Sequence, residues 1–173
     1  MDPGLIRPAT FEDAALLAEL GARTFRETFE PLYDPEDLAA FLGSTYSEAL
    51  QRAELEAPSR PALVLEVHGS PVGFAQLRLE HPEACVAGQH PAELQRIYLL
   101  RAAQGGGRGA ALLAASEALA RGRGADVLWL GVWEQNDRAL AFYARSGFQA
   151  VGEHGFSVGR RVDRDLILAK DLR

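Results

Sequence analysis

The sequence is short of several things, and each shortage removes a class of protein. Its 173 residues include one cysteine, Cys85. An intramolecular disulfide and a Cys-rich zinc site are therefore excluded. The four histidines, His68, His81, His90 and His154, lie far apart without ligand spacing, so no metal is expected. Positive charge is scarce: 18 Lys and Arg stand against 24 Asp and Glu, a net charge of −6. That balance excludes the basic face of a nucleic-acid binder. It suits a cationic substrate, and it suits plain solubility equally well. No apolar run approaches the roughly 18 residues that cross a bilayer, so no membrane partner is expected. The opening MDPGLIRPATFEDAALL carries acids where a signal peptide carries a basic region. With a single thiol, this points to a cytoplasmic protein.

What remains has ordinary globular proportions, 47% apolar and 24% charged, which excludes wholesale disorder. At roughly 150 residues per domain, one domain spanning 1–173 is expected. Leu5-Ile6-Arg7 is a short apolar opening cut by Pro8. Thr10 before Phe11-Glu12-Asp13 reads as a helix cap with acids in the first turn, and the spacing of Leu17, Leu20 and Thr24 predicts a helix to about Phe25. Further helices are predicted from Pro35 and over 46–56. The period then changes. Two strands are predicted around a Gly69-Ser70 turn, followed by a third strand over 94–99 that leads into a glycine cluster. An Ala- and Leu-rich helix over 110–121 precedes an apolar run at 126–133, which reads as a strand buried on both faces. Asn136 caps a short helix that ends at Gly147, and two strands around 149–153 and 162–169 close the chain. Helices first, then alternating strands and helices, make an α/β domain.

The glycine cluster Gln104-Gly105-Gly106-Gly107-Arg108-Gly109 carries the chemistry. Placed after a strand and at a helix start, its glycines let the backbone approach a ligand, and unpaired N–H groups with the helix dipole favour an anion. Arg101 or Arg108 would add charge. Gly109 is followed by alanines, so this is not a phosphate-binding loop with Lys-Ser/Thr. A dinucleotide fingerprint belongs to the first strand–helix unit, whereas this loop lies past the midpoint. A glycine-rich helix start with no ligand stays open at this point.

Gln104-x-x-Gly107-x-Gly109 resembles the acetyl-CoA loop of the GNAT N-acetyltransferase superfamily. The run Asn136-Asp137-Arg138-Ala139-Leu140-Ala141-Phe142-Tyr143-Ala144-Arg145-Ser146-Gly147-Phe148 is similar to that superfamily's N-x-x-A-x-x-F-Y-x-x-x-G-F signature. Element order agrees over nearly the whole chain. The resemblance implies a single mixed, mostly antiparallel sheet of six to seven strands flanked by four or five helices. It implies acetyl-CoA as cosubstrate, without a metal, and an acetyl transfer to a primary amine in a ternary complex. The motif opened by Gln104 would hold pyrophosphate on the N–H groups of Gly105, Gly106, Gly107, Arg108, Gly109 and Ala110. Backbone of Ile97, Tyr98 and Leu99 would pair with pantetheine and polarise the thioester carbonyl. Asn136 would bond the pantetheine chain and Tyr143 would meet the departing sulfur. Read alone, Asn136 is a helix cap and Tyr143 a core aromatic.

An alkylammonium of pKa near 10.4 must lose a proton before attack, at about 4.6 kcal/mol at pH 7. A carboxylate can take that proton and attract the cation. Glu93, Gln95 and Glu134 lie near the ends of the central strands, and Glu27 and Glu30 lie in the substrate region; Glu27 and Glu93 are the expected bases. Trp129 and Trp133 alternate on a strand and read as core. Phe25-Arg26-Glu27-Thr28-Phe29 and Leu130-Gly131-Val132-Trp133-Glu134 resemble the bacterial PaiA-type branch, which implies a polyamine such as spermidine as acceptor. A peptide or other small amine, or a non-catalytic acetyl-CoA sensor, are the alternatives. Relatives of this fold often form homodimers.

Overall fold

The computed structural model describes residues 3–173. Strand β1 (Leu5–Pro8) leads to a 3-10 turn over Phe11–Asp13, where the Thr10 amide donates to Asp13 Oδ2 at 2.8 Å. Helix α1 (Ala14–Phe29) buries Leu17, Leu20, Thr24 and Phe25 at helical spacing. It runs four residues past the expected Phe25, because Phe29 packs 4.7 Å from the Phe25 ring and extends the apolar stripe. Asp34 caps α2 (Pro35–Thr45) by accepting from the Glu36 amide at 2.9 Å, and Ser47 caps α3 (Glu48–Glu56).

Seven strands form one sheet in the order β1-β2-β3-β4-β5-β7-β6. They are completed by β2 (Ala62–Val67), β3 (Ser70–Arg78), β4 (Pro91–Leu99), β5 (Val127–Trp133), β6 (Gln149–Val158) and β7 (Arg161–Asp171). Every pairing is antiparallel except β4 with β5. The β2–β3 turn falls on His68-Gly69, both at positive φ, one residue ahead of the expected Gly69-Ser70. Helices α4 (Arg108–Gly122) and α5 (Asp137–Arg145) cover one face with Leu112, Leu113 and Tyr143 against Leu77, Leu94, Leu128 and Leu130. Helices α1 and α2 cover the other with Leu17, Phe25, Leu38 and Leu42 against Val64 and Phe74. Strand β5 is buried through Leu130 and emerges at Gly131, so its two-sided burial stops short of its end.

Two irregularities position everything that follows. On β4, Leu94 faces Leu77 and Arg96 faces Gln76, leaving Gln95 as an extra residue. Such a bulge bends and twists its strand. Strands β4 and β5 pair at Pro91↔Val127, Ala92↔Leu128 and Glu93↔Trp129, and no further. Beyond Glu93 they part, and the sheet is split between residues 94–99 and 130–133.

Candidate active site

A cavity of about 1160 Å³ occupies the split and opens to both faces of the sheet. On the α4–α5 face it meets the glycine loop. Gly105, Gly106 and Gly107 stand at φ +97°, +60° and +77°, left-handed values that favour glycine. The Arg108 amide closes a turn onto the Gly105 carbonyl at 3.3 Å, and α4 starts directly after, presenting the first-turn N–H groups of Gly109 and Ala110. Arg138 donates to Gln104 Oε1 at 2.7 Å, and Gln104 Nε2 donates to the Leu99 carbonyl at 3.3 Å. The start of α5, the loop and the end of β4 are thereby tied together. Arg138 is the cation beside the loop that the sequence reading missed. Arg101 turns instead to the Glu27 carbonyl on α1, and Arg108 donates to the Ala103 carbonyl at 3.3 Å.

Asn136 Oδ1 accepts from the Ala139 amide at 3.2 Å, so the residue caps α5, and it also lines the cavity. Tyr143, seven residues and about two turns further on, is 8% exposed and lies between the rings of Phe142 and Phe148. Its hydroxyl makes no protein hydrogen bond among the described residues, and burial pushes its pKa above that of an ordinary phenol. Ile97, Tyr98 and Leu99 line the same cavity from β4, where β5 offers their outer edge no ladder partner. A backbone edge without a partner is a template for an added strand.

The opposite face is built from α1, α2 and the β6–β7 hairpin. Phe25, Phe29, Tyr33, Phe41, Trp133 and Phe156 line it. Trp133 stands edge-on to Phe29 at 6.4 Å and faces the cavity, whereas Trp129 is buried with its Nε1 donating to the His81 carbonyl. The core reading therefore holds for Trp129 and fails in part for Trp133, because the sheet splits between them. Glu93 lines the cavity and accepts from Arg78 at 2.9 Å. Glu27 lines it too, with Oε2 accepting from the Arg101 amide at 2.7 Å. Gln95 is the bulge residue and accepts from Arg60 at 3.2 Å. Glu134 pairs with Arg164, and Glu30 lies beside Arg23 and Arg26 on the surface away from the cavity. Sequence reasoning gave a site role to neither Asp165 on β7 nor His154 on β6, the latter read only as a histidine without ligand spacing. They are register partners, with His154 Nε2 3.8 Å from Asp165 Oδ2. The signal was the alternation Asp163-Arg164-Asp165, two acids two residues apart on a closing strand, which places both on one side. Among the described residues no cluster of His, Cys, Asp or Glu could hold a metal ion, and no helix is long and apolar enough to cross a membrane.

The model of the Acetyltransferase (GNAT) family matches residues 22–148, and the chain belongs to that family. It is 35% identical over 161 residues to an uncharacterised N-acetyltransferase of Mycobacterium tuberculosis, covering 92% of this chain and 98% of that one. It is 34% identical over 153 residues to an uncharacterised N-acetyltransferase encoded in the pepI 3′ region of Lactobacillus delbrueckii subsp. lactis, covering 88% of each. Among solved structures, the PaiA N-acetyltransferase of Thermoplasma acidophilum, determined in complex with coenzyme A, superposes with a TM-score of 0.76 at 23% identity, over 96% of this chain and 98% of that one. The protein is thus an N-acetyltransferase by family, with the mixed, mostly antiparallel sheet of that fold.

Proposed function

We propose that this protein, as one domain over 1–173 in the cytoplasm, transfers the acetyl group of acetyl-CoA to the primary amine of a small cationic acceptor, of which a polyamine such as spermidine is the type. The split between β4 and β5 carries the reading. There an anion cradle on one face of the sheet communicates with an acidic, aromatic chamber on the other. Family membership and the coenzyme A bound by the PaiA relative support the donor. Acids and aromatic rings together support a cationic acceptor, since a desolvated cation over a ring gains about 2 kcal/mol.

The chain's residues divide the work. N–H groups of the 105–110 loop receive the pyrophosphate, with Arg138 beside them. The free edge of β4 takes the amide-bearing arm as an added strand, and the Asn136 amide group bonds it. Backbone donors around Ile97 to Leu99 polarise the carbonyl under attack. Tyr143, held protonated by burial, gives a hydrogen bond to the sulfur as it leaves. Of the expected bases, Glu93 supplies negative charge at the cleft, while Glu27 fastens the β4–α4 connection to α1. The test has two readouts. Calorimetry should detect acetyl-CoA binding, and thiol release should be fastest with spermidine in a panel that also holds a peptide α-amine and a small monoamine. Binding without turnover of any amine would make the protein a sensor, and a peptide preference would move the acceptor class.

A further inference from the structure

We infer that Asp165 and His154 form the acceptor-amine subsite, Asp165 receiving the ammonium group and His154 carrying its proton to solvent. The inference rests on the acetyltransferase reading above and assigns the proton acceptor within it.

Four carboxylates line the cavity, and three are committed elsewhere. Glu27 accepts from the Arg101 amide, Glu93 from Arg78, and Asp163 from both Arg161 and the Tyr33 hydroxyl. The Asp165 carboxylate makes no hydrogen bond and pairs with no lysine or arginine among the described residues. The His154 imidazole stands 3.8 Å away, beyond hydrogen-bonding reach. Yet Asp165 is only 8% exposed. A buried carboxylate in that position is unfavourable unless a cation joins it. Desolvation accordingly raises its proton affinity, with Asp163 adding to the effect and His154 opposing it. The other groups that feel it are Tyr33 from the α1–α2 connection and Tyr98 from β4, both neutral phenols.

Space and an exit are also present. A Cβ on Gly131 would stand 2.9 Å from His154 Nε2 and 3.4 Å from Asp165 Oδ2. Gly131, on the part of β5 that has left β4, therefore keeps clear the ground in front of both groups. His154 is about a third exposed, and its Nδ1 lies 4.0 Å from Glu83 on the β3–β4 loop, so a proton taken on the cavity side can leave on the other. The transfer balances. The ammonium gives one proton to this pair, its nitrogen forms the bond to the acyl carbon as the carbon–sulfur bond breaks, and a second nitrogen proton ends on the sulfur. The products are amide, thiol and one proton released to water.

The test compares wild type, Asp165→Asn and His154→Gln with spermidine, a peptide α-amine and a monoamine, alongside calorimetry with acetyl-CoA. Asp165→Asn should keep acetyl-CoA affinity within about twofold and lose roughly 10²–10⁴ in kcat/KM for whichever amine wild type uses best. His154→Gln should likewise keep acetyl-CoA affinity and lower kcat/KM for the same amine. If wild type turns over an amine and Asp165→Asn stays within threefold of it, the subsite is wrong and the acetyltransferase reading stands. If wild type binds acetyl-CoA and turns over none of the three, the parent reading fails and this one falls with it.

Discussion

Burial strengthens the hold of the Tyr143 phenol on its proton, and that decides what kind of acid it can be. An ordinary phenol already outranks a thiol, pKa about 10 against 8.5, so full transfer is uphill by about 2 kcal/mol. A side chain pushed further up donates a hydrogen bond to developing charge rather than giving the proton away early. Tyr143→Phe should therefore retain acetyl-CoA affinity and lose roughly 10²–10⁴ in kcat; an unchanged kcat with chemistry limiting would reduce Tyr143 to packing between Phe142 and Phe148. Desolvation raises Asp165 as well, and there the raised pKa opposes the charge the group carries at neutral pH. The folded state binds its proton more tightly than the unfolded one, so its contribution favours folding at low pH and is lost as pH rises through the folded-state value. Asp165→Asn should accordingly raise Tm at pH 7.5, and that advantage should shrink as pH falls through the carboxylate range. Melting curves at several pH values check this, and a lower Tm at neutral pH would mean that Asp165 is a satisfied structural acid.

At the scale of elements, the start of α4 is the most constrained piece. Gly107 sits at φ +77° as the residue before the helix, with no atom within 4 Å of where a Cβ would be. The constraint there is the backbone angle, not space. A β-branched residue in that region costs about 1–3 kcal/mol, relieved by moving the loop. Gly107→Val should thus weaken acetyl-CoA binding tenfold or more while the melting temperature changes little, since each tenfold is about 1.4 kcal/mol. Wild-type affinity by calorimetry would place the anion site elsewhere. This loop was legible in the sequence because local chemistry writes it: glycines, a strand before, an alanine-rich helix after. The caps at Asp34, Ser47 and Asn136 follow the same local rules. The bulge at Gln95 and the parting of β4 from β5 were not legible, because strand register is settled between segments about 20 and about 35 residues apart. Nor was Arg96, an arginine in a strand that is 5% exposed, bonded to Glu54 at 2.6 Å and stacked on Tyr46. Its partner lies on α3, and nothing near Arg96 in the chain announces it. The aromatic chamber was not legible for the same reason, since α1, α2, β6 and β7 meet only in three dimensions.

The whole molecule carries −6, and most of its arginines are already spoken for by acids. A cationic acceptor therefore feels two kinds of attraction, a diffuse field over the surface and the uncommitted charge inside the cavity. Salt separates them. The Debye length falls from about 10 Å at 0.1 M to 3 Å at 1 M, which screens exposed charges far more than buried ones. Each further positive charge on the acceptor should gain about 0.2–1 kcal/mol from exposed acids. Spermidine, with two charges more than a monoamine of equal length, should then be favoured about 2- to 30-fold in kcat/KM at low salt. Most of that margin should disappear at 1 M, while the requirement for Asp165 remains. Glu30 faces away from the cavity, so Glu30→Gln should trim the low-salt preference no more than any other surface acid. Steady-state rates for both amines at two ionic strengths measure this directly. A spermidine preference that survives 1 M salt undiminished would locate the second and third ammonium groups inside the chamber, against buried carboxylates. Equal rates for the two amines at both strengths would leave the transfer chemistry intact and make the acidic surface a solvated face with no part in choosing the acceptor.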